Sequence, residues 1–561
     1  MFLFLLLTGW IHSTQASEFA LSPQWLNLIH YQKTWSGFKS EADGAGFFLS
    51  PEGKTNPKAE LAATIEALKN PHKLMGVLKT PAACVFPARK LILERDLGFK
   101  FPEVKCVAYE EWRKGLPVTE LSLVFASAYP NNPASMFGHT FLRLKGPGVG
   151  RDLLDYAVNF AATTGSDGGV EFALLGVFGG YQGHYSLAPY FIKVNEYNHG
   201  EARDLWEYSL KMSPQGIDVL LAHMWEMEAS TWFDYWFFDE NCSWQILRIL
   251  EVANPQLKLS QGAPFYIIPA ETVRILQSAD LLGAPQFRPS LRRQYLARGG
   301  SHTPEEEQDK KLAYYQLKSR LKKLSDLEEK DYHLELTKRA QSARASSEVI
   351  VPIAKNSPHV GHGLRRAILS AGENRERLEV RMAQHDLLDQ DLGYEPWSTL
   401  DVLRMSIEHN ERVFVREFTL AEVISISPYN DLGWDLSWFT QFGLKAPREF
   451  AKQSLTAAGS GGIGYSLGSD RFIASLMLMG EALGDSPDGA VMNLGARSLV
   501  GIKGERWKVL TDVKHLWGSN QRLTVEVSFA WSLDQNWGLR LSRFQSDKKH
   551  YETLAGVVRY F

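Results

Sequence analysis

Across 561 residues the chain has only three cysteines, no HExxH pair, no glycine-rich phosphate loop and no apolar run long enough to cross a bilayer as a helix. Each absence removes a class. Three scattered cysteines make no zinc knuckle, and without HExxH spacing the fifteen histidines carry no metalloprotease signature. His139, His184 and His199 could together bind a metal in principle, but their spacing carries no metal signature, and no cofactor is expected. Charge of one sign is also missing. Lys and Arg number 61 against 64 Asp and Glu, for a net charge of -3, which argues against a nucleic-acid partner. What the chain has in quantity is aromatic side chains, 12% of residues with 16 Trp, a composition suited to interfaces or to a membrane. The length alone predicts about two to four domains.

Residues 1–16 read as a secretory signal, with Phe2 to Leu7 as the apolar stretch and Thr14-Gln15-Ala16 as a small-residue cleavage site. Export admits disulfides. Cys84 and Cys106 lie in one N-terminal segment and are the expected pair, which leaves Cys242 as the odd thiol. Residues 17–115 read as a helical subdomain, with Pro57 opening one helix and Asn70-Pro71 closing it.

Chemistry concentrates in residues 116–300. Leu121 to Ala128 reads as a strand, as does the run after Gly138, where Thr140, Leu142 and Leu144 alternate with Phe141 and Arg143. Leu153 to Phe160 is a second strand; closing a hairpin at Leu144 and Leu153 sets His139 opposite Val158 and brings Asn159 within one residue. The Gly- and Tyr-rich residues 171–195 read as a loop, Asp204 to Leu210 and Gly216 to Phe233 as helices. In Phe238-Asp239-Glu240-Asn241-Cys242-Ser243-Trp244, a polar turn delivers Cys242 to the first turn of an apolar helix, where the positive end of the dipole favours a thiolate. The plain alternative is a small buried hydrophobe. A thiol nucleophile needs a base, and the base an orienting partner, so Cys242, His139 and Asn159 form the candidate set. Asn241, Ser135 and Tyr156 are candidates for holding substrate or its oxyanion.

Residues 301–350 read as charged, solvated helices joining two parts of the chain. In residues 351–561 the period changes to two. Leu523, Val525, Val527, Phe529 and Trp531 face one way, Thr524, Glu526 and Ser528 the other, and turn signals such as Gly518-Ser519-Asn520 punctuate the runs. Roughly twelve such strands, apolar outside and polar inside, predict an antiparallel transmembrane β-barrel. The fold class expected is therefore α+β, with a helical N-terminal subdomain and a Cys/His domain followed by the barrel.

Three segments carry a resemblance: Asn132-Pro133-Ala134-Ser135-Met136-Phe137-Gly138-His139-Thr140, Asp155-Tyr156-Ala157-Val158-Asn159-Phe160 and Asn241-Cys242-Ser243. Together they resemble the Lnb N-terminal periplasmic domain family, whose namesake is a bacterial lipoprotein N-acyltransferase. The histidine-before-cysteine order also resembles the permuted NlpC-type papain-like superfamily. The resemblance covers roughly residues 120–270 and implies a permuted papain-like domain with His139 as base, Cys242 as nucleophile and Asn159 as the orienting residue. It implies an acyl-thioester route acting on an acylated lipoprotein or another lipid; the barrel, in which this chain departs from the namesake, is what sets the expected place at the outer membrane, with the catalytic part in the periplasm. A cysteine peptidase or amidase of the cell envelope, and a non-catalytic outer-membrane barrel, are the alternatives.

Overall fold

The computed structural model describes residues 15–561 apart from 78, 129–136, 149–153, 164–179, 202, 237–239, 263–265, 298–303, 322, 343–356, 430–435, 447–454, 487–488, 519–520 and 547–549. The expected signal segment therefore lies almost wholly outside the described residues, as does Ser135. The chain divides into two compact units, one formed by residues 1–127 and 138–300, the other by 128–137 and 301–561.

The first unit begins with helices α1 (Pro23–Leu28), α2 (Pro57–Lys69), α3 (Pro87–Leu97) and α4 (Val107–Lys114), with two small hairpins, β1 (Tyr31–Thr34) with β2 (Gly37–Ser40) and β3 (Leu74–Met75) with β4 (Thr80–Pro81). Proline at the first turn of α1, α2 and α3 sits where its missing N–H is no loss. Asn56 caps α2 by accepting from the Ala59 N–H. Cys84 and Cys106 are joined by a disulfide.

A seven-stranded sheet follows, built from β5 (Glu120–Ala126), β6 (His139–Lys145), β7 (Tyr156–Thr163), β8 (Tyr181–Pro189), β9 (Leu205–Leu210), β10 (Phe233–Tyr235) and β11 (Leu282–Arg288). Its order is β10-β8-β7-β6-β5-β9-β11, and every pairing is antiparallel. Helices α5 (Pro214–Ser230), α6 (Cys242–Ala253) and α7 (Pro269–Ser278) belong to the same unit.

Two expectations fail here. Asp204 to Leu210 is a strand rather than a helix. Lying between β5 and β11, it buries Leu205 to Tyr208 without a break, so no period of two survives to mark it as a strand. Tyr181 to Pro189, expected to be loop, is also a strand; Gly183 there is forced, since a Cβ would come within 2.3 Å of the Phe160 ring.

The hairpin register differs as well. Leu142 faces Val158 and Leu144 faces Tyr156, three residues from the expected alignment. The odd shift matters because side chains alternate between faces. In the expected register Asn159 points away from His139; in the observed one His139, Phe141 and Asn159 share a face.

In the second unit, α8 (Pro304–Leu321) and α9 (Asp326–Ser342) pack together, and Leu312, Tyr315 and Leu317 of α8 are buried. The barrel closes from twelve strands: β12 (Arg366–Gly372), β13 (Arg375–His385), β14 (Ser398–Asn410), β15 (Arg412–Ser425), β16 (Ser437–Lys445), β17 (Thr456–Ser469), β18 (Phe472–Ser486), β19 (Gly489–Lys503), β20 (Trp507–Gly518), β21 (Arg522–Ser532), β22 (Trp537–Ser546) and β23 (His550–Tyr560). Neighbours pair in chain order, and β12 meets β23 to close the ring. The overall class is mixed α+β.

Outward positions carry Leu476, Leu478, Met492, Leu494, Leu539 and Leu541, all exposed. Trp531 and Trp537 stand exposed toward one rim, Trp517 and Tyr551 toward the other. An apolar band between aromatic girdles is what a lipid-facing barrel needs, and closure leaves no edge with unpaired backbone. The interior is less uniformly polar than expected. Ile473, Met477, Met479, Leu499, Leu510 and Leu516 point inward and form a core with Leu387 and Trp397, which come from the connection between β13 and β14. That connection folds back and gives the inward apolar residues a partner other than water.

Candidate functional site

The site is built on the head of α6 and the adjacent strands β6 and β7. Asn241 caps α6: its Oδ1 accepts from the N–H groups of Ser243 (2.9 Å) and Trp244 (3.1 Å), and its Nδ2 donates to the Ile267 carbonyl at 2.6 Å. Losing such a cap costs about 1 kcal/mol. The helix is buried on nearly every side. Ile246, Leu247, Ile249, Leu250 and Val252 supply the apolar surface, while Arg248 is neutralised by Glu251 (2.8 Å) and Glu41 (3.3 Å). So α6 is fixed, and Cys242, its first residue, is fixed with it.

His139 opens β6. The residue before it, Gly138, has φ +87°, and a Cβ there would lie 2.9 Å from the Ala126 carbonyl oxygen and 3.0 Å from the Phe125 ring. Only glycine turns the chain this tightly into the strand. His139 Nε2 bonds Asn159 Oδ1 at 2.6 Å, and the ring also hydrogen-bonds Cys242. With Nε2 taken by the carboxamide, Nδ1 is the nitrogen left for sulfur. Thr140 adds to the same point, its hydroxyl 3.9 Å from Cys242 Sγ and its backbone N–H directed at the sulfur.

These contacts set the charge. Burial pushes the Cys242 thiol up, but His139 and Thr140 outweigh it and bring it down to about 7. Burial pulls His139 down; the facing sulfur and the Asn159 bond overcome it, so its pKa is raised above the ordinary imidazole value. The two shifts favour a thiolate beside an imidazolium.

Around the pair the walls are aromatic. The Tyr197 ring lies 5.4 Å from His139 and 5.8 Å from Phe141, on a π-helical turn spanning Val194–Gly200. The Arg203 guanidinium stands 5.0 Å from the Tyr197 ring and donates to the carbonyls of Ala126 and Ser127, where its charge opposes protonation of His139.

Of the residues singled out from sequence, the structure brings Cys242, His139 and Asn159 together. Asn241 is committed to the helix cap, which corrects its assignment as a donor to substrate. Tyr156 is also corrected. It pairs with Leu144, five residues from His139 and so about 17 Å along the strand, on the opposite face from Asn159. Thr140, Tyr197 and Arg203 were missed; Thr140 stood within a quoted motif without a role, and nothing in the sequence links the other two to His139. Among the described residues, the group of three side chains close enough to hold a metal is His362, His385 and Asp389 in the barrel, not His139, His184 and His199.

The fold and site define a cell-envelope protein with two units in one chain, one holding a buried thiol–imidazole contact and the other forming an outer-membrane-type barrel. Residues 108–279 match the family described as the Lnb N-terminal periplasmic domain. Residues 355–560 and 17–96 match two families described as domains of unknown function, DUF7840 and DUF7843. No curated protein matches the chain. Among solved structures, a KdgM porin aligns at 9% identity with a TM-score of 0.24, covering 35% of this chain and 98% of that one. Outer membrane phospholipase A from Escherichia coli aligns at 11% identity and a TM-score of 0.22, covering 38% and 95%. A loop-deletion mutant of OmpT, an outer membrane protein of Vibrio cholerae, aligns at 8% identity and a TM-score of 0.18, covering 36% and 97%. An Lnb-type periplasmic domain fused to an outer-membrane-type barrel locates the protein in the cell envelope, at the outer membrane.

Proposed function

We propose that Cys242 is the nucleophile of a thiol acyltransferase or acyl hydrolase, with His139 as base and Asn159 as its orienting residue. The observation that carries this is the chain of contacts from Asn159 through His139 to Cys242, which brings a buried thiol down to about 7. In the first half-reaction the thiolate attacks an ester carbonyl carbon, forming C–S while C–O breaks, and the His139 imidazolium gives its proton to the leaving alkoxide. In the second half an amine or water attacks the thioester, His139 accepts the proton, and the thiolate leaves. The Cys242 N–H, at the helix start and without an intrahelical acceptor, is the natural donor to the oxyanion.

The outer-membrane barrel favours an acyl lipid or acylated lipoprotein as donor, because the membrane concentrates it near the tethered domain. Reading the sheet and α6 as a permuted papain-like fold is part of the same proposal, as is the division at 17–115, 116–300, 301–350 and 351–561. A second reading has one observation in its favour: Cys242 is only 5% exposed, as a structural cysteine would be. Labelling the detergent-folded full chain with a thiol-directed electrophile across pH decides between them. The proposal expects rapid labelling near neutral pH that is lost in Cys242→Ala and slowed in His139→Ala. Slow labelling indifferent to His139 leaves the structural cysteine.

A further inference from the structure

The barrel contains a second histidine cluster, apart from Cys242 and His139. His362 lies just before β12, His385 ends β13, and Asp389 lies in the connection to β14. All three are buried. His362 Nε2 is 3.0 Å from His385 Nδ1, and Asp389 Oδ2 is 3.9 Å from the first and 4.0 Å from the second. A triangle with these sides has its centre about 2.1 Å from every corner, which is the length of a zinc–nitrogen or zinc–oxygen bond.

The other ring nitrogens say which lone pairs face that centre. His362 Nδ1 lies 2.7 Å from the Gly363 carbonyl, an acceptor only, so Nδ1 carries the proton and Nε2 presents a lone pair inward. His385 Nε2 is buried, and Asp391 Oδ1 stands 3.6 Å from it. Placing the proton on that nitrogen turns it toward a carboxylate and leaves Nδ1 as a second inward lone pair. Two lone pairs 3.0 Å apart, with a carboxylate oxygen beside them, repel unless a cation lies between.

The supports have the form of an outer ligand shell. Arg381 donates to Asp389 Oδ2 at 2.6 Å, while Arg366 (2.9 Å), Arg540 (2.6 Å) and the Tyr560 hydroxyl (2.7 Å) donate to Oδ1. Tyr394 and Tyr560 stack on His362, each with ring centroids 4.4 Å away.

We propose that His362 Nε2, His385 Nδ1 and Asp389 Oδ2 bind one divalent transition-metal ion of the zinc type. Imidazole with carboxylate suits that class, and a water completes four-coordination. The ion staples the seam of the barrel. It joins the segment entering β12 to the end of β13, and through Asp389 and Tyr560 to β23, the strand that closes on β12. The rival occupant is a proton shared by the two imidazoles. That proton is the ordinary His385 Nδ1–H donating to His362 Nε2 and adds no charge, but it leaves the His385 Nε2 lone pair turned toward the Asp391 carboxylate oxygen 3.6 Å away.

The test uses the full chain folded in detergent, exposed to equimolar Zn²⁺, passed through metal-free buffer and assayed by elemental analysis. About one zinc per chain is expected in the wild type and in Cys242→Ala, falling at least about ten-fold in His362→Gln and in His385→Gln. Retention in Cys242→Ala separates this site from the thiol. In parallel, Co²⁺ added to the wild-type chain gives the intense visible bands of a tetrahedral ion, a readout that requires no substitution. No retained zinc and no cobalt bands in the wild type overturn the proposal in favour of the shared proton, and zinc retained equally by both folded histidine variants overturns it too.

Discussion

Cys242 and His139 are each neutral without the other, and their charges arise by moving one proton across a single contact. Inside the barrel, charges are shared many ways. Glu408 alone meets Arg375 (2.9 Å), Arg377 (3.0 Å) and Arg416 (2.8 Å), and Arg377 also reaches Glu552. Guanidinium groups and ordinary carboxylates are charged across the working range of pH, so such a network serves shape. A thiol at about 7 beside a raised imidazole changes state within that range, and that lability suits chemistry.

The largest expected effect tests the permanent side. Glu408→Ala leaves three arginines gathered around an absent partner, and breaking a buried ionic network from one side costs about 3–5 kcal/mol. Denaturant unfolding of the detergent-folded barrel should show the loss, with labelling of Cys242 unchanged. If the variant unfolds like the wild type, the interior charges are solvated and the contrast is gone.

The next effect tests the labile side. At pH 7 a thiol of pKa about 7 is half ionised. Without His139, burial raises the thiol while the Thr140 bonds still lower it; with the ordinary value near 8.5 as the reference, His139→Ala should slow labelling at pH 7 by about 15-fold. The sign follows from the direction of the shift. Cys242 lies below its ordinary value, so in the wild type the rate should fall as pH drops through about 7. In the variant the same step should move up, to about 8.5. An unmoved midpoint would mean that the histidine does not set the thiolate.

Asn159→Ala is the smaller version of that test. It removes one hydrogen bond to His139, worth about 1 kcal/mol, and should slow labelling a few-fold without abolishing it.

How much of this was legible in the sequence depended on whether each signal was local. The barrel was readable because Leu523, Val527 and Trp531 alternate with inward residues over a full strand, a rule enforced by lipid on one side. The head of α6 was readable because cap and helix are contiguous in Asn241 to Leu250. Strand β9 was not, since burial on both faces erases the alternation. The His139–Asn159 contact was anticipated through a register three residues off, which put Asn159 on the wrong face; nothing between 144 and 156 fixes where the hairpin closes. Tyr156 fell for the same reason. Tyr197 and Arg203 reach His139 only through the fold of the sheet, and the metal triad joins residues that no local spacing relates.

The smallest effect closes the comparison from the surface. Lys90 and Glu94 form an i,i+4 pair on α3 at 2.9 Å, with both side chains about a third exposed. Water and salt screen such a pair, and Lys90→Ala should cost no more than about 0.5 kcal/mol, diminishing as salt is added. The geometry rivals that of the Glu408 contacts, yet the expected cost differs roughly ten-fold. Exposure makes the difference. If Lys90→Ala proved as damaging as Glu408→Ala, distance alone would rank the ion pairs of this protein, and the separation between a barrel held by buried charge and a site tuned by one proton would lose its physical basis.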